Sequence, residues 1–329
     1  MKRIGIIGAG GIANKHAGAW AGVEGAQIVA VADPDAERVS ALAERTGAKA
    51  YPSVEAMLAD VTIDAADICV PTLQHIPVAM ACLAARIPTI IEKPMARTVA
   101  DARALVDAYN SAGVPLAPAH VVRFFQDFTA IRSQIESGAV GKPAVVRITR
   151  GGPFPRGKNG WYGDPAQSGG VLLDLSLHDF DWLRYTFGEV ERVTANCLMA
   201  QGAVDRDYAL AVLRFKSGVI AHVEGTWVHT DGFRVEVEIS GDKGVLEHSS
   251  QFPYAVKVRK NAAEAGPAVA FPESPTFKDP YTAELEELLA AVTEGKPARV
   301  TAEDGVASLA IAEACWKSAK TGEPVTLHA

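Results

Sequence analysis

The chain's 329 residues exceed one ordinary hydrophobic core and suit two domains of about 100–200 residues each. Hydrophobic residues make up 48% and charged residues 22%, the balance of a soluble globular protein. The formal charge of −7, with no basic run gathered on any one stretch, excludes a nucleic-acid footprint.

Met1-Lys2-Arg3 before Ile4-Gly5-Ile6-Ile7 superficially resembles the start of a secretory signal, but the apolar run is short, glycine-broken and interrupted by Asn14-Lys15-His16. No window approaches the roughly 18 apolar residues needed to span a bilayer. A cytoplasmic location without a membrane partner is expected. Arg3 to Ile7 reads as a buried first strand running into Gly8-Ala9-Gly10-Gly11-Ile12-Ala13, which fits G-x-G-x-x-G/A with Ala13 in the last place. Gly8 allows the tight turn, Gly10 lets the backbone approach a pyrophosphate, and the small residue at 13 lets the helix pack close to the strand. The amides at the start of that helix, at Gly11 and Ile12, then face the anion.

A second strand, Gln27 to Ala32, ends in Asp33, where an acid hydrogen-bonds the adenosine ribose hydroxyls. With Asp33-Pro34-Asp35 there and no arginine before Arg38, a 2′-phosphate meets negative charge, so NAD is expected over NADP. An N-cap of the helix beginning near Pro34 is an equally good reading of Asp33, and both roles can hold.

The alternation continues. Ser53 caps a short helix through Leu58, and Ile63 to Val70 is the next strand. Pro71-Thr72-Leu73-Gln74-His75 is a loop before an alanine-rich helix to Ala85. A strand through Ile91 ends in Glu92-Lys93-Pro94, and a helix over Thr98 to Ala112 leads to a strand over Pro115 to Val121. Strands alternating with helices mean parallel βαβ units, hence an α/β Rossmann domain with a doubly wound parallel sheet over residues 1–120. Lys93 projects from the carboxyl end of a parallel strand, where open α/β sheets place their ligands. Alone it would read as a solvated loop lysine beside Glu92. What favours function is that Gly8–Gly11, Asp33, Thr72, His75, Glu92 and Lys93 all fall just after strands.

Residues 121–329 form the second domain. Arg123-Phe124-Phe125 opens a helix reaching Ser137, and strands follow over Ala144–Arg150, Val190–Ala200, Tyr208–Phe215, Val219–Val228 and Phe233–Ile239. Lys216-Ser217-Gly218, Asp231-Gly232 and Gly241-Asp242-Lys243-Gly244 are hairpin turns by composition. The result is an α+β domain with a large, mostly antiparallel sheet. One face is covered by helices, and the other, with Val235, Val237 and Ile239 alternating against charge, is a candidate oligomer surface. Gly151 to Ser168 is a long loop carrying Arg156, Lys158, Trp161 and Tyr162, suited to covering a substrate. From Gly170 to Tyr185 a largely apolar helix carries Asp174, His178 and Asp181 on one face. A polar stripe on a buried helix needs partners or a cavity. A core histidine satisfied by Asp174 is the plainer reading; a cleft shared with Lys93 makes the pair catalytic. Tyr281–Val292 and Ala302–Lys320 read as two amphipathic helices, the one with Trp316 as core packing. Cysteines at 69, 82, 197 and 315 show neither a C-x-x-C pair nor metal-type spacing, so reduced thiols and no metal are expected.

The glycine-rich turn, Pro71-Thr72-Leu73-Gln74-His75, Glu92-Lys93-Pro94 and Ser168 to Asp181 together resemble the glucose–fructose oxidoreductase / inositol dehydrogenase / rhizopine-catabolism (Gfo/Idh/MocA) family. The family's usual third glycine after Gly169-Gly170 is Val171 here, and Ser176 stands where glycine is common. The resemblance implies an NAD(P)-dependent dehydrogenase/reductase acting on the CH–OH group of a sugar, cyclitol or related polyol, and a homodimer or homotetramer joined through the second domain's sheet. Lys93, Asp174 and His178 are the implied catalytic residues, meeting beside the bound nicotinamide. His178 would take the hydroxyl proton, Asp174 would orient the ring, and Lys93 would stabilise alkoxide character. Exchange of the two proton-handling roles remains open. Thr72, His75 and Glu92 would line the nicotinamide-ribose side. Arg123, Trp161 and Tyr162 join the three catalytic residues as candidate substrate contacts. The rival reading is a nucleotide-binding sensor or regulator that keeps the fold without turnover.

Overall fold

The computed structural model describes residues 1–155, 158–198, 207–229, 232–251, 257–260 and 278–327. Two compact units account for them: residues 1–124 with 278–306, and 125–277 with 307–329.

In the first unit, β1 (Lys2–Ile7), β2 (Ala26–Ala32), β3 (Lys49–Tyr51), β4 (Ala65–Ile68), β5 (Thr89–Glu92) and β6 (Leu116–Ala119) form one sheet in the order β3-β2-β1-β4-β5-β6. Every pairing in it is parallel. Parallel neighbours require crossovers. Helices α1 (Gly11–Trp20), α2 (Ala36–Thr46), α3 (Val54–Asp60), α4 (His75–Ala84) and α5 (Val99–Ala112) provide them. Strand order reverses between β1 and β4, the switch point where such sheets bind ligands. Ser53 and Thr98 cap α3 and α5 through their hydroxyls. The α2 cap is Asp35, which accepts from the Arg38 amide. Asp33, the residue read as a possible cap, instead accepts from the Asp35 and Ala9 amides. Pro71–His75, expected as a loop, contains a 3₁₀ turn over Thr72–Gln74 leading directly into α4.

A later segment joins this unit. Helix α10 (Pro280–Glu294) carries Leu285, Leu288, Leu289 and Val292 into the core that holds Ile4, Ile6, Val31 and Ile90. The sequence reading had placed that helix in the second domain. Its apolar face packs beside α1 and under β4–β6 because the parallel sheet needs cover there.

In the second unit, α6 (Gln126–Glu136) is followed by β7 (Pro143–Gly151). Next come α7 (Pro165–Ser168), α8 (Gly170–Asp174) and α9 (Ser176–Phe187). Strands β8 (Val190–Cys197), β9 (Tyr208–Phe215), β10 (Ile220–Thr226), β11 (Arg234–Gly241), β12 (Gly244–Ser249) and β13 (Lys257–Lys260) precede α11 (Ala302–Thr321), which belongs to this unit from Ala307 onward, and β14 (Val325–Thr326). The sheet runs β13-β12-β11-β7-β10-β9-β8-β14 and is antiparallel except for β7 beside β10. Helices α8 and α9 pack on its centre, at β9 and β10. One expectation is corrected here. Val235, Val237 and Ile239 are buried, so they belong to the covered face. The open face carries their neighbours Glu236 and Glu238, with Arg147 bonded to Glu238 and the partly exposed Leu210 and Val212 of β9.

Candidate functional site

In the first unit the glycine-rich turn leaves β1 at the switch point. Gly8 has φ +108°, and a Cβ there would lie 2.5 Å from the Cys69 carbonyl oxygen, so only glycine fits. Gly10 and Gly11 differ: a Cβ at either would meet nothing within 4 Å among the described residues. No side chain among the described residues caps α1, and its first turn carries no acid. An uncapped helix start with open space before it suits a pyrophosphate. The residues present therefore fit a dinucleotide. Ile12 packs partly into the core. Asp33 accepts the Ala9 amide at 2.7 Å, which fixes the turn to the end of β2.

Glu92 ends β5 with its carboxylate buried. Oε2 accepts the Lys93 backbone N–H at 2.9 Å, and Oε1 lies 3.1 Å from His16 Nε2. On the other side of that ring, Nδ1 lies 3.0 Å from Asp67 Oδ2, to which Trp20 Nε1 also donates at 2.7 Å. Burial disfavours a charged imidazole, yet the Asp67 carboxylate beside Nδ1 opposes it, and the pKa of His16 is raised well above its ordinary 6.5. Cys69 is itself kept a thiol by burial and by Asp67, so the countercharges are the carboxylates. Burial alone would raise Glu92, but His16 pulls it below its ordinary 4.5. His16, Asp67 and Cys69 could share an ion on distance alone, within 4.8 Å of one another. The protonated thiol and the donated hydrogen bonds make the group a polar network instead.

His75 is buried with Nδ1 2.8 Å from the Pro94 carbonyl and Nε2 2.9 Å from the Val70 carbonyl. Burial pushes its pKa below 6.5. The ring ties the chain after β4 to the chain after β5, and Thr72 is buried one turn before it. The Lys93–Pro94 peptide is cis. Arg123, expected at the substrate, is buried and bonded to the Arg299 carbonyl and Asp304, an ion pair that ties Val121–Phe124 to the segment after α10.

In the second unit, the single helix expected over Gly170–Tyr185 is two helices meeting at Leu175. Asp174 is the last residue of α8 and His178 stands in the first turn of α9, both partly exposed, while Asp181 is buried. Gly169 and Gly170 have φ of +78° and +67°, a turn that side chains resist. The Trp316 indole donates to the Gly169 carbonyl at 2.8 Å and holds that turn. Two acids escaped the sequence reading. Asp179 accepts from Arg150 Nε at 3.0 Å and from Nη2 at 2.7 Å, a buried pair in which burial nonetheless raises the carboxyl. Asp207 accepts the Val171 amide at 2.6 Å, and its pKa is pushed up to about 6 by burial, with Asp174 adding to the rise. Trp161 and Tyr162 lie in a 3₁₀ turn with ring centroids 4.0 Å apart. Arg156 lies outside the described residues, as does the side chain of Lys158.

A Rossmann sheet with an open glycine turn at its switch point defines a dinucleotide-binding protein. Comparison with known proteins carries this further. Residues 2–120 match the model "Oxidoreductase family, NAD-binding Rossmann fold" and residues 132–327 match "Oxidoreductase family, C-terminal alpha/beta domain". The myo-inositol 2-dehydrogenase of Thermotoga maritima is 30% identical, across 99% of this chain and 98% of that protein. The 1,5-anhydro-D-fructose reductase of Ensifer adhaerens is 31% identical, across 100% and 99%. The crystal structure of a putative myo-inositol dehydrogenase from Sinorhizobium meliloti superposes with TM-score 0.83 at 27% identity, covering all of both chains. The chain belongs to the Gfo/Idh/MocA oxidoreductase family, and it is an NAD-binding enzyme of the dehydrogenase/reductase type. No helix among the described residues is long and apolar enough to cross a membrane.

Proposed function

We propose that the protein oxidises a secondary alcohol of a sugar, cyclitol or related polyol, and reduces the matching carbonyl in reverse. The observation that carries this reading is Lys93 at the carboxyl end of β5, held by Glu92, in a chain alignable over its whole length with dehydrogenases and reductases of such compounds. NAD, when bound, supplies the hydride acceptor. Gly8, Gly10, Gly11 and Ile12 hold its pyrophosphate, and Asp33 its adenosine ribose, where a 2′-phosphate would meet the carboxylate. Thr72, His75 and Glu92 line the nicotinamide-ribose side. His178 takes the hydroxyl proton, Asp174 orients and stabilises the imidazolium, and Lys93 hydrogen-bonds the same oxygen as alkoxide character develops. In a second assignment Lys93 moves the proton and His178 positions the substrate. Trp161 and Tyr162 cover the substrate; Arg123, spent on Asp304, takes no part.

A silent sensor finds no support in the relatives named above, which carry enzyme names. We further propose a homodimer or homotetramer joined through the open face of the second unit's sheet, where Leu210 and Val212 are each 37% exposed. A cytoplasmic location is supported by cysteines 69, 82, 197 and 315, all buried free thiols.

The test is NADH absorbance during incubation with a panel of polyols and aldoses. Lys93→Ala and His178→Ala should bind NAD almost normally and lose about 10²- to 10⁴-fold in kcat/KM. An equal loss of cofactor affinity in both would refute the assigned roles.

A further inference from the structure

His16 is a charged group that the proposed reaction leaves without a task. It is fully buried on α1, one turn and a half past the open glycine turn, on a face otherwise made of Ala13, Ala17 and Trp20. Each ring nitrogen faces a carboxylate oxygen, Asp67 at 3.0 Å and Glu92 at 3.1 Å. An ionised carboxylate can only accept, so both nitrogens donate and the ring is an imidazolium. Trp20 fixes Asp67 from the same helix at 2.7 Å, and Cys69 Sγ lies 3.4 Å from Nδ1. The second oxygen of Glu92 takes the main-chain N–H of Lys93. Charge-assisted bonds thus run without a gap from the helix that opens the cofactor site to the backbone of the reacting lysine.

We propose that His16 is a positioning residue for Lys93: its imidazolium keeps Glu92 ionised and aimed, and Glu92 fixes the main chain from which the ammonium projects. The inference rests on the assignment of Lys93 to the reaction. The groups that face His16 are Trp20 of its own helix, Asp67 and Cys69 of β4 and the chain just beyond it, Glu92 at the end of β5, and Tyr281 of α10, whose ring centroid is 5.9 Å away. Lys93 and His75 also act on Glu92, lowering its carboxyl less than His16 does. Without the cation, the burial that raises the Glu92 carboxyl loses its main opponent, and Glu92 takes a proton more readily. A protonated Glu92 is a weaker acceptor for the Lys93 amide, and the lysine loses its fixed seat.

The experiment compares His16→Gln, Glu92→Gln, their double variant and Lys93→Ala with the wild type. It measures NAD affinity by fluorescence, kcat and KM for a polyol that turns over, and the pH profile of kcat. His16→Gln should keep NAD affinity within about threefold, lose about tenfold or more in kcat with KM little changed, and gain an acidic limb absent from the wild type, as Glu92 begins to titrate within the working range. The double variant should lose that limb and be no slower than the worse single variant. Lys93→Ala inactive with His16→Gln at full kcat and an unaltered profile overturns the positioning role while Lys93 stands. Lys93→Ala active removes the lysine's role and the inference with it. Should His16→Gln fail to fold, Glu92→Gln decides: it keeps the ring, and a kcat equal to the wild type's refutes the proposal.

Discussion

Asp207 offers a measurement in which the sign and the size both follow from the structure. Its side chain is buried, Oδ2 takes the Val171 amide, and Oδ1 has no hydrogen-bond partner among the described residues. Burial, with Asp174 nearby, lifts its pKa from 3.8 to about 6 against the pull of that amide. The unfolded chain therefore releases this proton near its ordinary value, while the folded chain keeps it until about pH 6. Between those values the folded state binds more protons, so stability falls as pH rises, and above the folded value the penalty is constant. At about 1.36 kcal/mol per pH unit the difference amounts to roughly 3 kcal/mol at neutral pH. Asp207→Asn cannot ionise, and its amide oxygen can still accept from Val171. Urea unfolding of both proteins from about pH 4 to about pH 7.5 should show the variant gaining roughly 3 kcal/mol on the wild type across that range. Taking the difference cancels every other titrating group that the substitution leaves alone. Parallel curves would mean that water or a neighbouring donor already satisfies Oδ1 and that burial is not what sets this carboxyl.

The two glycines of the turn should separate stability from binding. Gly8→Ala forces a Cβ to within 2.5 Å of the Cys69 carbonyl and should lower the melting temperature, whereas Gly10→Ala meets no protein atom and should leave melting unchanged while weakening NAD binding. Calorimetry with and without NAD checks both. In the second unit a Cβ at Gly225 would lie 2.1 Å from Ser176 Oγ and 3.2 Å from a Val171 methyl carbon. Gly225→Ala should cost about 1–3 kcal/mol as overpacking and be largely rescued by adding Ser176→Gly, read as urea midpoints.

Much of the fold was legible because hydrophobic period and turn chemistry agree along the chain. The strand-then-helix alternation to residue 119 reappears as the parallel sheet, with Ser53 capping its helix as read, while Thr98, read as the first residue of the next helix, is its cap. The short β3 and β14 were not legible, since three and two residues carry no period to read. Helix α10 was recognised as a helix, but not as part of the first unit. An amphipathic pattern states that an apolar face needs cover, not which sheet supplies it. The same limit explains the face error on β11. Alternation separates Val235, Val237 and Ile239 from Glu236 and Glu238 without telling which set the helices cover.

The site divides along a similar line. Residues whose role is backbone shape, Gly8 and Gly169-Gly170, stand out in the sequence because few other residue types tolerate those positions, and the structure gives all three positive φ. Residues whose role depends on a distant partner do not stand out. Arg123 beside two phenylalanines read as a substrate arginine, and only the approach of Asp304, far along the chain, makes it a structural cation. Asp174, His178 and Asp181 drew notice as a stripe, while Asp179 between them, bonded to Arg150, lay off it. His16 had one local signal: a lone imidazole on the buried side of a helix whose other inward residues are small or aromatic. Asp67 had its counterpart, an acid inside the four-residue buried strand Ala65–Ile68. A buried charge cannot stand alone. Two such violations in one parallel-sheet domain, on the helix after β1 and on β1's sheet neighbour β4, are better read together, as each other's counterion, than as separate defects. That inference needs no homologue, and it would have led from the glycine helix to Glu92 and hence to Lys93.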